Sequence, residues 1–460
     1  MPATARAGLD YGVAPLGLGV GRDFCAFAAA LSFDDLPETV VAEARRGVLD
    51  WIGCAIAGSR HATLDKVIAG LDRIGSLERV PVIARGRRMG LLEAAIANGQ
   101  MGHVLDFDDT HMDGVVLHTS SPTLAALFSA VETGDFSGRD LVTAYVLAFE
   151  AGVRVGKTAP AHHDGGWHLT GTLGSIAAGI AVGKLLGLDA EKLTHAMGLA
   201  ATQAAGMQQN RGTMSKSFHA GKAASNGLLA GFLAAEGVDS SDEIIEGKRG
   251  FARIYSAAPA APEALRENLG RDWQILKNGY KPYACGIVLH PLIDAVIELG
   301  RRGIDPASVE TIELVVHPAA VRITGVEDPK SGLMSKFSIY HSAAVGFLDR
   351  QAGLAQYGDQ RAAAPEVAAM RERVRVTTDE RFGKDEARAA VVEKGGTRHE
   401  THVPHASGTA ANPMSDGALE GKFLANAVPV VGEARARTIA DAVWSLEDMA
   451  DARTLVGLCG

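Results

Sequence analysis

The chain has 460 residues, with 45 Lys+Arg against 54 Asp+Glu and a formal charge of −9. That length suggests two or three domains and a core large enough to stand without disulfides or a structural metal. The negative balance argues against a nucleic-acid groove or an anionic membrane surface as the main partner. The four cysteines (Cys25, Cys54, Cys285 and Cys459) are far apart and form no C-x-x-C pair. This spacing excludes a disulfide scaffold, a zinc ribbon and a clustered iron–sulfur motif, and it fits a reducing cytoplasm. No apolar run reaches 18 residues, so no membrane span is expected. The segment Met1–Asp23 lacks the basic and apolar regions of a signal peptide.

The first half reads as helix after helix. Asp34 and Asp35 precede Pro37, and Val40, Val41, Ala44, Val48 and Ile52 then recur at helical spacing. Acid and Pro at this point are helix-start signals. Similar stretches follow at 91–104, 122–133, 137–155, 174–186, 190–205 and 220–235, several of them separated by glycines such as Gly134, Gly187 and Gly237. The run GSIAAGIAV at 174–182 is apolar nearly all round, the mark of a buried helix. Near residue 265 the character changes. TIELVVH at 311–317 and RVRVT at 373–377 alternate as strands do, and 388–392 and 399–403 flank Gly395-Gly396 as a hairpin. Helical segments at 289–301 and 341–348 lie between them. The predicted architecture is mainly α: a helical domain over 1–265, an α+β lid over 266–405, and a return to the helical domain over 406–460.

Polar chemistry concentrates in a few places. The segment HVLDFDDTHMDGVVLHTSSP at 103–122 carries Asp106, Asp108, Asp109, His111, Asp113 and His118 at the end of an apolar helix. Gly165 and Gly166 let the backbone bring His168 close to a ligand in HHDGGWHLTGTLGS. Arg211, Lys216 and His219 open an apolar helix in GMQQNRGTMSKSFHAGK. Lys281, Tyr283 and His290 lie in YKPYACGIVLHPLID, and Lys336, Tyr340 and His341 in SKFSIYH. Cations near helix N-termini favour carboxylates. Histidine and tyrosine carry protons, and an Asp beside a His fixes its tautomer. This mixture suits proton abstraction next to a carboxylate, whose charge must be neutralised before a carbanion forms beside it.

Each piece also has a plainer reading. Asp109 and Asp113 suit a helix cap or a solvated turn, Lys216 a solvated loop, and His162, His195 and His405 ordinary satisfied side chains. The Asp cluster could ligate a divalent cation on composition alone, and Asp108-Asp109-x-x-x-Asp113 is superficially like the aspartate-rich motif of helical prenyl-diphosphate enzymes. Those sites need a second metal motif and a large aromatic cavity. No second motif is evident, and aromatics make up only 5% of the chain. The cluster is better explained as carboxylates that orient nearby histidines.

Taken together and in order, HVLDFDDTH with His118 and Ser121-Pro122, GWHLTGTLGS, GTMSKSFHAGKAA, KPYACGIVLHPLIDA and SKFSIYHSAA resemble the 2-methylcitrate dehydratase (MmgE/PrpD) family over roughly residues 25–430. That family also contains cis-aconitate decarboxylase and iminodisuccinate epimerase. The resemblance implies a homodimer of a mostly helical domain interrupted by a smaller lid, with catalysis between the two and without metal or organic cofactor. Carried over by position, it implies Asp106 holding a catalytic His, His118 and His168 as acid and base, and Tyr340 donating from the lid. Lys216 and His290 would bind or polarise substrate carboxylates, with Lys281 and Arg211 as further binding residues.

Two segments depart from the common pattern: Tyr283-Ala284 stands where relatives often have Tyr-Pro, and the stretch from Asp109 to His118 is longer than in some members. The expected activity is that of a cofactor-independent hydro-lyase on a small di- or tricarboxylate. Decarboxylation and epimerisation are the alternatives within the family. A magnesium-dependent diphosphate enzyme and a non-catalytic carboxylate-binding protein are the rivals outside it.

Overall fold

The computed structural model describes residues 19–75 and 77–460. Most of Met1–Asp23, the segment read as lacking a signal peptide, lies outside the described residues. The chain is mainly α, with small sheets only. Helices α1 (Val20–Ala30), α2 (Glu38–Gly58), α3 (Ala62–Ile74), α4 (Leu91–His103) and α5 (Ser120–Ala130) come first. They are followed by α6 (Gly138–Thr158), α7 (Leu169–Leu185), α8 (Ala190–Ala201) and α9 (Met214–Ala235).

Local chemistry sets these boundaries. Ser137 and Asp140 close a capping box at the start of α6, each side chain accepting from the other's backbone N–H at 3.2 and 2.9 Å. Helix α7 is buried on every side except at Lys184, so neighbouring helices surround it. Small residues make this possible: a Cβ placed on Gly227 of α9 would stand 2.4 Å from the Ala178 Cβ of α7. The two backbones therefore meet where any side chain at 227 would collide.

A second buried cluster gathers around α10 (His290–Arg301) and α11 (Ile339–Asp349), which cover a four-stranded sheet. Its strand order is β3-β2-β4-β5, with β2 (Val309–Val316), β3 (Val374–Thr378), β4 (Ala387–Glu393) and β5 (Arg398–Val403). Strands β2 and β3 are parallel, β4 runs antiparallel to β2, and β4–β5 is the hairpin expected around Gly395-Gly396. After the sheet come α12 (Asp416–Val431), α13 (Glu433–Trp444) and a last short helix, and Phe423, Ala427 and Ile439 join the first helical core.

Two features join the parts around one loop. β1 is a two-residue strand, Thr110–His111, pairing antiparallel with Asn278–Gly279. Lys422 on α12 donates to Asp50 Oδ1 at 2.6 Å and to the Phe107 carbonyl at 2.7 Å, so the segment after α4 is held from three sides. No helix among the described residues is long and apolar enough to cross a membrane.

Candidate active site

The segment Val104–Thr110 leaves α4 through a left-handed residue, Asp106, at φ 51°. Aspartate tolerates this conformation better than most non-glycine residues. Asp106 Oδ1 accepts from Lys216 Nζ at 2.9 Å and from Lys281 Nζ at 2.8 Å, and its carbonyl accepts from Lys281 at 3.0 Å. Burial pushes the Asp106 carboxyl up, but the two ammonium groups overcome this and hold it well below the usual carboxylate range. Asp106 Oδ2 is buried without a partner. A third lysine, Lys336, donates to the Leu105 and Ala284 carbonyls at 2.7 and 2.6 Å, and burial lowers it to about 8.

Close to these charges stands a group of imidazoles. His118 Nδ1 donates to the Asp109 carbonyl at 2.8 Å, which leaves Nε2 of the neutral ring bare. His103 Nδ1 donates to Asp108 at 2.8 Å, and Ser121 Oγ donates to the same carboxylate at 2.7 Å. The His103 ring lies 4.6 Å from His118 and stacks on His168 at 5.5 Å. His168 Nδ1 meets His219 Nδ1 at 2.9 Å. One of that pair must donate, so one ring presents a bare Nε2 and the other an Nε2–H. Burial is the first cause that lowers His103, His118 and His168, and the nearby lysines add to it. The three rings are therefore held neutral.

His118, His168, Asp106, Lys216, Lys281 and Arg211 line one cavity of about 370 Å³. That volume is near the lower end for small-molecule sites, which span roughly 300–1,000 Å³. Sequence reasoning placed these six residues together although they are up to 175 positions apart. Two others stand elsewhere. His290 is fully buried at the start of α10, its ring edge-on to Tyr283 at 5.3 Å, away from the cavity wall. Tyr340 packs against the second core, and Phe337, three residues before it, is on the wall.

One expected pairing is corrected: the carboxylate that holds a histidine is Asp108, while Asp106 holds lysines. Direction explains the exchange, because the left-handed turn at Asp106 carries its carboxylate toward α9 and Lys281. His103 and His219 were missed as members of the imidazole group. The signals were that His103 ends an apolar helix five residues before Asp108 and that His219 stands three residues after Lys216 in the polar segment opening α9.

His103, Asp108 and His118 each bring a ligand atom within 4.8 Å of the others, so this trio has the composition for a cation. Both Nδ1 atoms there already carry protons donated to oxygen acceptors. A cation at those atoms would have to displace both protons, and the trio is better described as a His103–Asp108 hydrogen bond with the His118 ring packed beside it.

Comparison with known proteins follows the same line. The family model for the MmgE/PrpD N-terminal domain matches residues 22–263, and that for the MmgE/PrpD C-terminal domain matches residues 283–448. The chain belongs to the MmgE/PrpD family. Among curated members, a cis-aconitate decarboxylase of Aspergillus terreus is 29% identical over 96% of this chain and 96% of its own length. The cis-aconitate decarboxylase of Mus musculus is 25% identical over 95% of this chain and 93% of its own, and that of Homo sapiens 24% identical over 95% and 94%.

Proposed function

We propose that this MmgE/PrpD protein is a cofactor-independent lyase that removes carbon dioxide from a small tricarboxylate of the cis-aconitate type. The reading rests chiefly on one observation: paired lysines at Asp106 line a single small cavity together with the neutral imidazoles of His118 and His168. The full-length relatives named as cis-aconitate decarboxylases support the choice of reaction.

In that reaction the bond from carbon to one carboxylate breaks, carbon dioxide leaves, and the electron pair stays on the carbon framework. Lys216, Lys281 and Arg211 neutralise the remaining carboxylates, so that negative charge can build up beside them. A bound polyanion raises the affinity of His118 and His168 for protons, and one of them delivers the proton that captures the electron pair. Asp108 holds His103, and His103 holds the other two rings in place.

Loss of water from a hydroxy acid, as in a 2-methylcitrate dehydratase, is the second reading. It is favoured by the bare Nε2 of His118, which has the form needed to take a proton α to a carboxylate. We further assign the lid to 266–405, with the helical domain formed by 1–265 and 406–460, and a cytoplasmic homodimer as the working form.

The test is proton NMR of products after incubation with cis-aconitate, 2-methylcitrate, citrate and iminodisuccinate. Loss of carbon dioxide from cis-aconitate supports the first reading, and turnover of 2-methylcitrate alone replaces it with the second. No turnover, and no deuterium incorporation from heavy water into any of the four, overturns both.

A further inference from the structure

The cavity holds more positive charge than the reacting end uses. Six cationic side chains and two carboxylates, Asp106 and Asp164, line it in a chain whose net charge is −9. At the deep end, Lys216 and Lys281 share Asp106. Lys157, on the wall between, is bound to Asp113 and Gln274 at 3.3 and 2.9 Å.

The remaining cations gather at the mouth. Arg211 comes from the loop before α9, Arg322 from the short helix Pro318–Thr324, and Lys384 from the loop before β4. Arg211 donates to His163 Nε2 at 3.1 Å and is near enough to feel both the attraction of Asp106 and the repulsion of Arg322. It therefore links the deep end to the mouth. His163 is lowered to about 4 by burial first, with Arg211, Lys384 and Arg322 all adding to the effect. Arg211 is bonded to this neutral imidazole, and Lys384 and Arg322 line the same cavity close enough to act on it.

Their local counter-charge is small. Asp164 reaches Arg322 only at 3.4 Å, with both side chains more than 60% exposed, a geometry that contributes little. Lys384 has no ion pair among the described residues. Like charges held together in this way repel unless an anion sits among them.

We infer that Arg322 and Lys384, together with Arg211, form a subsite for a distal carboxylate and set the preference for tricarboxylates over dicarboxylates. This deepens the carboxylate reading above and rests on it. Two carboxylates occupy the lysine end near the imidazoles, and the third reaches the mouth. Two of the three selecting charges, Arg322 and Lys384, are carried by the lid-side segments and Arg211 by the loop before α9, while the reacting groups sit on the helical side and at Lys281. Substrate length is thus read chiefly by Arg322 and Lys384, which come from a different part of the chain from the histidines that move the proton.

The test uses two unreactive probes, propane-1,2,3-tricarboxylate and glutarate, titrated calorimetrically into the full-length protein at low and at physiological salt. The wild type should bind the tricarboxylate more tightly. The double variant Arg322→Gln/Lys384→Gln should lose roughly tenfold in tricarboxylate affinity, with glutarate affinity unchanged within about twofold. Arg322→Glu should lose more than Arg322→Gln, and the losses should shrink as salt rises.

Equal losses for both probes would show a general field with no subsite, and unchanged tricarboxylate affinity would remove both residues from recognition; either result overturns the inference. A wild type that binds neither probe overturns the carboxylate reading itself, and the subsite with it. Both residues are exposed, so unchanged circular dichroism is expected and a loss of binding would not reflect unfolding.

Discussion

The two walls of the cavity solve opposite problems with the same degree of burial. On the lysine wall, charge is kept: Asp106 stays ionised because Lys216 and Lys281 crowd it, and the cluster carries a surplus of positive charge. On the imidazole wall, charge is suppressed: His118 and His168, with His103 packed behind them, are driven neutral by burial and by those same lysines. A charged wall recognises a polyanion, and a neutral wall can accept or, once substrate is bound, return a proton. The contrast shows how one dry cavity can bind carboxylates without locking its proton carriers in the charged form.

The sharpest way to break the contrast is to remove its central carboxylate. Asp106→Ala leaves two ammonium groups buried without their partner, which should destabilise the protein by about 3–5 kcal/mol and abolish turnover. Urea unfolding checks this, and a loss below about 1 kcal/mol would show that the lysines find other partners.

Removing one proton carrier should reduce rate and leave the fold intact. His168→Ala or His118→Gln should each lower kcat at least about 10²-fold. A change of only a few-fold would demote that ring to packing. Asp108→Asn keeps the shape but removes the anion that fixes the His103 tautomer, so kcat should fall by roughly tenfold and its pH profile should shift. An unchanged profile would detach His103 from the mechanism.

A smaller effect separates structural histidines from catalytic ones. His290 is held at about 3 by burial, against 6.5 for a free imidazole. Below pH 6.5 the unfolded chain binds a proton there that the folded chain refuses, so this group's contribution is present above pH 6.5 and is lost as pH falls toward 3. His290→Leu should therefore flatten the fall of Tm between pH 6.5 and pH 4, with kcat changed by less than about threefold. A steep loss of kcat would return His290 to the site. The smallest expected effect is that of EDTA, which should leave the rate unchanged; lost activity would turn the trio of His103, Asp108 and His118 into a metal centre.

Legibility from sequence followed the range of the interaction. The helices could be read because periodicity and glycine breaks are local, and the hairpin around Gly395-Gly396 because its turn chemistry is local. The Val80–Val82 and Arg87–Met89 ribbon was not, since three-residue strands carry too little alternation. The short pairing of Thr110 with Gly279 was hidden for another reason: its two halves lie far apart in the chain. In the site, residue types and motif order brought six side chains to one cavity. Their pairings were hidden because Asp106 meets lysines 110 and 175 positions away. The displacement of Tyr340 onto the second core depends on how its helix is rotated, which a motif alone does not fix.

The clamp that Lys422 places on the Phe107 carbonyl bears on when during synthesis the enzyme becomes competent. Every group on the cavity wall precedes residue 385, yet the loop carrying Asp106 and Asp108 is fastened by a lysine translated later. A nascent chain halted before Asp416 would display all its reactive side chains with that one fastening of the loop missing. Releasing such truncated chains and finding them inactive, with activity restored by adding the missing segment as a separate peptide, would show that the carboxyl-terminal helices act as the final bolt of the site.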